Sequence, residues 1–161
     1  MPAKPRKSWR EKLADDKDLP KVVKLTGAAA TRWGGKSLAI AAPREIDALM
    51  RSVPRGRVTT INELRAAVAK KYCAEAGCPI TTGIFSWIAA HAAAEAAAAG
   101  EKKITPYWRT LKKDGELNPK YPGGVAGVRR KLTTEGHRFV AKGRRVLVRD
   151  YEAALYRPTG A

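Results

Sequence analysis

Cysteine and histidine, the side chains that most often build disulfides and zinc centres, are scarce in this chain. Only two of its 161 residues are cysteine and two are histidine. Cys73 and Cys78 are separated by four residues, and with His91 and His137 elsewhere they do not form a zinc-binding pattern. We therefore expect no metal, and both cysteines are predicted to be small buried residues in a reducing, cytoplasmic compartment.

Long apolar runs are also lacking. No stretch of the sequence is long and apolar enough to span a bilayer. Residues 1–7 are basic, but no apolar segment follows them, so we expect no secretory signal. The predicted protein therefore has no membrane partner and is cytoplasmic.

Acidic residues are outnumbered two to one. The chain has 15 Asp+Glu against 32 Lys+Arg, for a formal net charge of +17. Residues 1–36 hold 10 basic and 4 acidic side chains and residues 101–161 hold 15 and 6, whereas residues 37–100 are nearly balanced. This excess predicts a polyanionic partner. The alternative is a ribosome-associated or merely soluble basic protein.

The first 36 residues are predicted to form a basic N-terminal arm, either disordered until a partner binds or pinned to the body by Trp9. Residues 9–14 could form one or two helical turns. Residues 22–25 resemble a short strand, and residues 26–36, rich in Gly and Ala, are predicted to be a loop.

A strand over residues 37–42 is followed by a helix that Pro43 begins, because proline is favoured in the first helical turn. After the basic turn at residues 54–57, Thr60 and Glu63 have the spacing of a capping box. We expect that second helix to end near Lys71.

A further helix is predicted from Thr81 or Thr82, with Ile84, Phe85, Ile88 and Ala92 facing inward. Two helices joined by a glycine-containing break are typical of a helix-turn-helix, whose second helix recognises DNA. Any helical hairpin shows the same pattern, so the spacing alone does not decide. The alanine-rich residues 89–99 favour helix strongly, and the break before the pair's second helix is longer than usual.

The most distinctive stretch places two aromatic residues between a proline and an arginine, Pro106-Tyr107-Trp108-Arg109. It is followed by an Asp114-Gly115 turn, then by Tyr121-Pro122-Gly123-Gly124, a helical stretch and Glu135-Gly136. Glycine pairs allow positive backbone dihedrals or the close approach of a ligand.

In order and spacing this set resembles the alkylguanine-DNA alkyltransferases, or methylated-DNA-protein-cysteine methyltransferases, over residues 45–138. Their signature is Pro-Cys-His-Arg, a short turn, Tyr-x-Gly-Gly, a helix and Glu-Gly. The resemblance implies an α+β, mostly helical fold with a winged-helix-like DNA-binding domain over residues 37–138. Residues 139–161 lie beyond the resemblance, and their sequence predicts a β-hairpin that turns at Lys142-Gly143 and a short helix capped by Asp150.

The reactive cysteine of that family falls on Tyr107 and its histidine on Trp108. A phenol with an ordinary pKa of about 10 is a poor nucleophile near neutrality, and an indole cannot act as a base. Glu135 matches the family glutamate but has no histidine to orient. The chain is thus similar to the alkyltransferase-like relatives without the thiol, and we predict no enzyme activity and no cofactor.

Three further family features are missing. The intercalating arginine of the recognition helix falls on Gly83, a pocket tyrosine falls on Ile61, and the hinge asparagine falls on Ala99. Two interpretations of the aromatic pair stay open, because Tyr107 and Trp108 either stack on an extruded base or fill the old pocket as core.

The predicted site has two parts. The base pocket comprises Tyr107, Trp108, Arg109, Tyr121, Gly123, Gly124 and Glu135. The contacts to the DNA backbone comprise Arg55, Arg57, Thr81, Thr82, Lys112 and Lys113.

The predicted function is non-catalytic binding of duplex DNA by a monomer. The resemblance implies in addition recognition of alkylated guanine in DNA repair, with repair proteins as further partners. The alternatives are a basic nucleic-acid-binding regulator or RNA binder without lesion recognition, and an enzyme of unknown chemistry using Glu135, Tyr107 and Tyr121.

Overall fold

A computed structural model describes residues 5–33 and 35–159 of the chain. Across these residues the fold is mixed α+β, about 48% helical, with small sheets. This confirms the predicted α+β class in which helix predominates, whereas the winged-helix arrangement stays a prediction. No helix within the described ranges combines the length and the apolar character that crossing a membrane requires.

The N-terminal segment contains more regular structure than its composition predicted. Helix α1 spans Trp9–Ala14, strand β1 spans Lys21–Lys24 and helix α2 spans Gly27–Trp33. The prediction of a loop over residues 26–36 is therefore wrong for most of its length. Three consecutive alanines, 28–30, explain the helix, because alanine has the highest helix propensity.

Helix α1 is attached to the body through Trp9. Its ring stacks on His91 with centroids 4.6 Å apart and meets the ring of Trp87 edge-on at 4.7 Å. The backbone N–H of Trp9 donates to the carboxylate of Glu95 at 3.1 Å. The predicted anchoring role of Trp9 is confirmed, and residues 1–4 of the arm lie outside the described residues.

Strand β2 (Ser37–Ile40) and helix α3 (Pro43–Arg51) follow. Pro43 occupies the first turn of α3 as predicted, and Glu45 closes the N-terminus by accepting from the backbone N–H of Ala42 at 2.7 Å. The face of α3 carrying Ile46 and Met50 is buried.

Strand β3 (Thr59–Thr60) leads directly into helix α4 (Ile61–Lys71). The Thr60 hydroxyl accepts from the backbone N–H of Glu63 at 3.4 Å, so Thr60 caps the helix as predicted. The second half of the capping box is not formed among the described residues, because the Glu63 carboxylate faces Arg157 at 3.6 Å instead.

Strand β4 (Ala76–Gly77) separates α4 from the longest helix, α5, which runs over Pro79–Ala98. Strand β2 lies between β1, which is antiparallel to it, and β4, which is parallel to it. Helix α5 begins two residues earlier than predicted, with Pro79 in the first turn, and joins the alanine-rich segment into one helix.

The facing of α5 differs from the prediction at one position. Phe85, Ala89 and Ala92 are buried against the core, but Ile84 is 45% exposed. Helix α5 packs against α1, α3 and α4, and this packing places Phe85, one position later, in the core and leaves Ile84 outward.

The segment after α5 is built from short turns. A 3-10 helix over Tyr107–Arg109 leads into strand β5 (Thr110–Leu111), which pairs in parallel with β3. The predicted tight turn at Asp114-Gly115 is confirmed, since both residues have positive φ, at 65° and 83°.

Helix α6 spans Gly124–Thr134, and the predicted hairpin is formed by β6 (Phe139–Lys142) and β7 (Arg145–Val148). A 3-10 helix over Tyr151–Ala154 follows. Asp150 precedes it without a side-chain cap hydrogen bond, so its predicted capping role is wrong.

One hydrophobic core joins the segments that the sequence divided into arm, domain and extension. It includes Met50, Leu64, Tyr107 and Leu132, and Val148 of the hairpin packs in the same cluster. The division at residues 36 and 138 stays a prediction. Cys78 is buried as predicted, but Cys73 is exposed, because it follows the C-terminal cap of α4 with a φ of 52°.

Candidate nucleic-acid interface

Tyr107 is part of the core. Its side chain is 4% exposed and packs edge-on against Trp108, with ring centroids 5.2 Å apart, and against Tyr121 at 5.9 Å. Burial raises the pKa of Tyr107, so its phenol stays protonated near neutrality. The ring belongs to the main hydrophobic core, as the core-filling interpretation predicts.

Trp108, Arg109 and Glu135 form one hydrogen-bonded unit. The indole N–H of Trp108 donates to Glu135 Oε2 at 2.7 Å, and Arg109 donates to both carboxylate oxygens at 2.8–3.2 Å. A backbone N–H from the basic turn, that of Gly56, adds a donor at 3.3 Å. The Glu135 side chain is 4% exposed.

These donors decide the protonation state of Glu135. Burial raises its pKa, but the hydrogen bonds from Arg109, Trp108 and Gly56 outweigh burial, so the pKa lies below its ordinary value. Glu135 is therefore an ionised carboxylate whose oxygens are occupied by donors. It is poorly suited to act as a general base, because the groups that stabilise its charge also weaken its basicity.

Tyr121 is also buried, and the pair of glycines after it begins α6. Burial raises the pKa of Tyr121 against the weaker opposing influence of Asn118 and Ser86. Gly123 has a φ of 82° and Gly124 a φ of 63°, so both take the left-handed conformation that the glycine pair was predicted to allow. The structure thus brings Tyr107, Trp108 and Tyr121 together at one wall of the core.

Two further residues near this aromatic group, Lys131 and His137, were not predicted as site residues. Lys131 of α6 places its Nζ 4.7 Å from the centroid of the half-buried Trp108 ring. The Nε2 atom of His137 is buried without a hydrogen-bond partner among the described residues, and burial lowers the pKa of this imidazole. The spacing of Lys131 from Glu135, one helical turn apart, is the signal that could have placed the lysine beside the pair.

The predicted backbone-contact residues fall into separate groups. Arg55 and Arg57 are exposed, yet Arg57 donates to the carbonyls of Ala154 and Leu155 at 3.0 and 2.5 Å, and Arg55 donates to Thr134 at 3.3 Å. Both guanidinium groups therefore hold the C-terminal segments in place.

Lys112 and Lys113 are exposed on the turn after β5. Thr81 is half-buried in the first turns of α5. Thr82 does not join the surface, because its side chain is buried and its hydroxyl donates to the Cys78 carbonyl at 2.6 Å. This corrects the predicted phosphate contact of the Thr82 side chain.

A groove borders the exposed side of α5. It encloses about 440 Å³ and has an apolar wall from the helix and a polar wall from the loop before Tyr121. Its lining residues are Ile80, Gly83, Ile84, Trp87, Lys112, Asn118, Pro119 and Lys120. None of the described residues forms an ion pair with Lys120. Ile80, Ile84 and Lys120 were not predicted as site residues, although the two isoleucines share one helix face by their spacing.

No family model matches this sequence, and no curated protein matches it. Among solved structures, the chain is similar to S. pombe Atl1, in a crystal structure of a complex with damaged DNA containing O6-carboxymethylguanine. The sequence identity is 14%, the match covers 72% of this chain and 94% of that chain, and the TM-score is 0.48. These values do not by themselves establish a shared fold.

Proposed function

We propose that this protein binds duplex DNA and leaves it chemically unchanged. The observation that carries the proposal is the exposed face of α5, which lines one groove with Lys112 and Lys120 in a chain with a net charge of +17. Lysines beside a helix neutralise phosphates and release counterions, which supplies affinity that does not depend on sequence. Helix α5, which lies beside these lysines, can then contact the bases.

By the resemblance, Tyr107 and Trp108 stand where the family has its reactive cysteine and histidine, and neither supplies a nucleophile or a base. Tyr107 is buried and protonated, and the indole of Trp108 donates its only proton to Glu135. Glu135, the carboxylate of this unit, already accepts hydrogen bonds from Trp108 and Arg109. The protein is therefore proposed to be a non-catalytic, alkyltransferase-like DNA-binding protein.

Recognition of alkylated guanine is the finer part of the proposal. The ordered set of motifs from Pro106 to Gly136 supports it, because that set resembles a family acting on alkylated guanine. Since Tyr107 is enclosed, Trp108 is the ring that an extruded base could reach, and Lys131 and Arg109 lie 4.7 and 5.6 Å from its centroid. Binding without lesion preference is the second candidate, and the burial of Tyr107 favours it.

Fluorescence anisotropy with four labelled probes tests both parts. The probes are a plain DNA duplex, the same duplex with one O6-methylguanine, its single strand and a matching RNA duplex. We expect tight binding to both DNA duplexes and weaker binding to the other probes. Equal affinity for the RNA duplex would contradict DNA as the partner, and equal affinity for the two DNA duplexes would leave binding without lesion recognition.

Charge reversal locates the interface. Lys112→Glu combined with Lys120→Glu is expected to weaken duplex binding strongly. A matched control is Lys24→Glu with Lys70→Glu, because these exposed lysines of β1 and α4 have no ion-pair partner among the described residues. Equal losses for both pairs would show that only total charge matters and that α5 is not the interface.

Intact-mass spectrometry after incubation with the methylated duplex should show no methyl group on the protein.

A further inference from the structure

Two large apolar side chains on α5 are exposed where the helix borders the groove. Ile80 is 53% exposed and Ile84 is 45% exposed. They are four positions apart, so they lie side by side on one face of the helix. Gly83 lies beside them, and a Cβ atom added there would meet no atom within 4 Å. The pair therefore projects from the helix with free space around it.

The chain itself covers the next part of the same helix. Trp9 of α1 packs on Trp87 and His91, which follow Ile84 along α5. Helix α1 thus shields the middle of α5, and the described residues leave the first turns open. An apolar pair exposed beside a covered stretch of the same helix is a surface of the kind used for binding.

The groove around the isoleucines identifies the partner by its charge. Lys112 and Lys120 rim the groove, and Pro119 and Asn118 complete its far wall. The nearest acidic group to Lys112 is Glu116, at 3.8 Å, and Lys120 has no ion-pair partner among the described residues. Apolar side chains and cations that line one groove complement a partner that has phosphates outside and apolar stacked rings inside. A DNA duplex has this arrangement.

We propose that Ile80 and Ile84 form an apolar wedge that enters the base stack of bound duplex DNA. This inference rests on the proposed DNA binding and adds how α5 engages the duplex. Branched apolar side chains that DNA-binding proteins insert at a base step partly unstack it and kink the duplex. The lysines that line the same groove hold nearby phosphates while the isoleucines separate the base pairs.

The test uses the full chain and a duplex that reports on stacking. One strand carries 2-aminopurine, whose fluorescence rises when it is unstacked, and the two ends carry a donor and an acceptor dye. The wild-type protein is expected to raise the 2-aminopurine signal and shorten the end-to-end distance. Ile80→Ala and Ile84→Ala should each reduce both changes and weaken binding about tenfold, as loss of an anchoring side chain typically does.

Val22→Ala and Val140→Ala are the matched controls, because these valines are also large, exposed apolar residues, 47% and 38% exposed. They lie on β1 and β6, outside α5. All four substitutions are at exposed positions, and circular dichroism melting checks that every variant is folded. We expect the valine variants to match the wild type in all three signals.

The outcomes separate this inference from the proposed function. A wild-type protein that binds no duplex overturns both. One that binds DNA without changing either the 2-aminopurine signal or the end-to-end distance overturns the wedge alone. Isoleucine variants that equal the valine controls also overturn it. If the isoleucine variants lose affinity while wild-type binding leaves the stack intact, the isoleucines contact the DNA surface and the wedge is likewise excluded.

Discussion

Glu135 connects two parts of the predicted site that are far apart in the chain. Its carboxylate accepts hydrogen bonds from Trp108 and Arg109 of the 3-10 helix and from the backbone of Gly56 in the basic turn. Arg109 extends the connection by donating to the Val53 carbonyl at 2.8 Å. Because the carboxylate is buried, removing it would leave a buried guanidinium without its counter-charge.

We predict that Glu135→Gln lowers the free energy of unfolding by roughly 3–5 kcal/mol at neutral pH, as the loss of one partner from a buried ion pair does. The folded pKa of Glu135 is lowered, so its contribution is fully present above the unfolded pKa and is lost as pH falls through the folded pKa. The stability gap between wild type and variant should therefore narrow on acidification, as urea unfolding at pH 7 and below pH 4 would measure.

Glu101→Gln is the control for this prediction. Glu101 pairs with Arg10 at the surface, where both side chains are about half exposed. Exposed pairs contribute only about 0–1 kcal/mol. If Glu135→Gln were as mild as Glu101→Gln at pH 7, the buried network would not stabilise the fold in the way its hydrogen bonds imply.

Trp108 is the residue at which the two interpretations of the aromatic pair give different results. Its ring packs on Tyr107 and belongs to the periphery of the main core. We predict that Trp108→Ala costs about 3 kcal/mol of stability, at the lower end for a large aromatic side chain because the ring is half-buried. Thermal melting gives the stability, and paired binding curves on plain and O6-methylguanine duplexes give the preference.

A variant that loses lesion preference while keeping its stability would favour base stacking over core filling. A variant with unchanged stability and unchanged preference would contradict both interpretations. Trp108→Phe is a useful companion, since it keeps most of the ring but removes the indole donor to Glu135.

Among the secondary-structure elements, β4 and α5 each contain a glycine, and the two glycines have opposite surroundings. Gly77 in β4 approaches α4 so closely that an added Cβ would collide with the backbone of Arg65, and Arg65 donates its Nε–H to the Gly77 carbonyl at 2.9 Å. Gly83 in α5 has open space instead. The first glycine permits a close approach between elements, and the second leaves an element without a side chain.

We predict that Gly77→Ala and Gly83→Ala change stability in opposite directions. Gly77→Ala should destabilise the protein by roughly 1–3 kcal/mol, because the new methyl group overpacks against Arg65. Gly83→Ala should stabilise it by about 0.5–1 kcal/mol, because alanine loses less conformational freedom in a helix than glycine does. Urea unfolding of the pair measures both, and effects of the same sign would refute the assigned surroundings.

Sequence patterns predicted elements whose ends carry local signals. Pro43 and Thr60 mark the starts of α3 and α4, and the glycine turn at residue 143 marks the hairpin. The rotation of α5 could not be predicted in the same way. Apolar residues occur on several of its sides, so only packing against the rest of the fold decides that Phe85 is inside and Ile84 outside.

The candidate site was predictable where its residues belong to one local motif, and not where they come from distant parts of the chain. The order of the motifs predicted that Trp108, Arg109 and Glu135 belong to one site, and they form one hydrogen-bonded network. The donor from Gly56 comes from 79 residues away in the chain and has no local pattern. Contacts of that kind depend on the tertiary fold, which residue spacing does not contain.

For the molecule as a whole, the sequence predicts a basic protein. The structure shows which of its cationic side chains are already bonded to other groups of the same chain. Arg109 and Arg57 are engaged with other parts of the chain, whereas Lys113 and Lys120 have no ion-pair partner among the described residues. Net charge thus overstates the number of cations available to a partner. The salt dependence of binding reports how many cationic side chains neutralise phosphates of the partner.

We predict that duplex affinity falls steeply with salt concentration. For Z neutralised phosphates, log K declines against log salt with a slope of about −0.9Z on duplex DNA. A protein making about 6–10 such contacts loses roughly 10³–10⁵ in affinity between 50 and 200 mM salt. Anisotropy titrations over that range give the slope, and affinity that barely changes would remove nucleic acid as the main partner.

The salt slopes of single-substitution variants identify which side chains contact phosphates. Lys112→Ala, Lys113→Ala and Lys120→Ala should each make the slope less steep by about 0.9 if the lysine neutralises one phosphate. Arg57→Ala should change the slope little, because its guanidinium donates to two carbonyls of the C-terminal segment. If Arg57 proved to reduce the slope and the lysines did not, DNA would lie against the basic turn and not along α5.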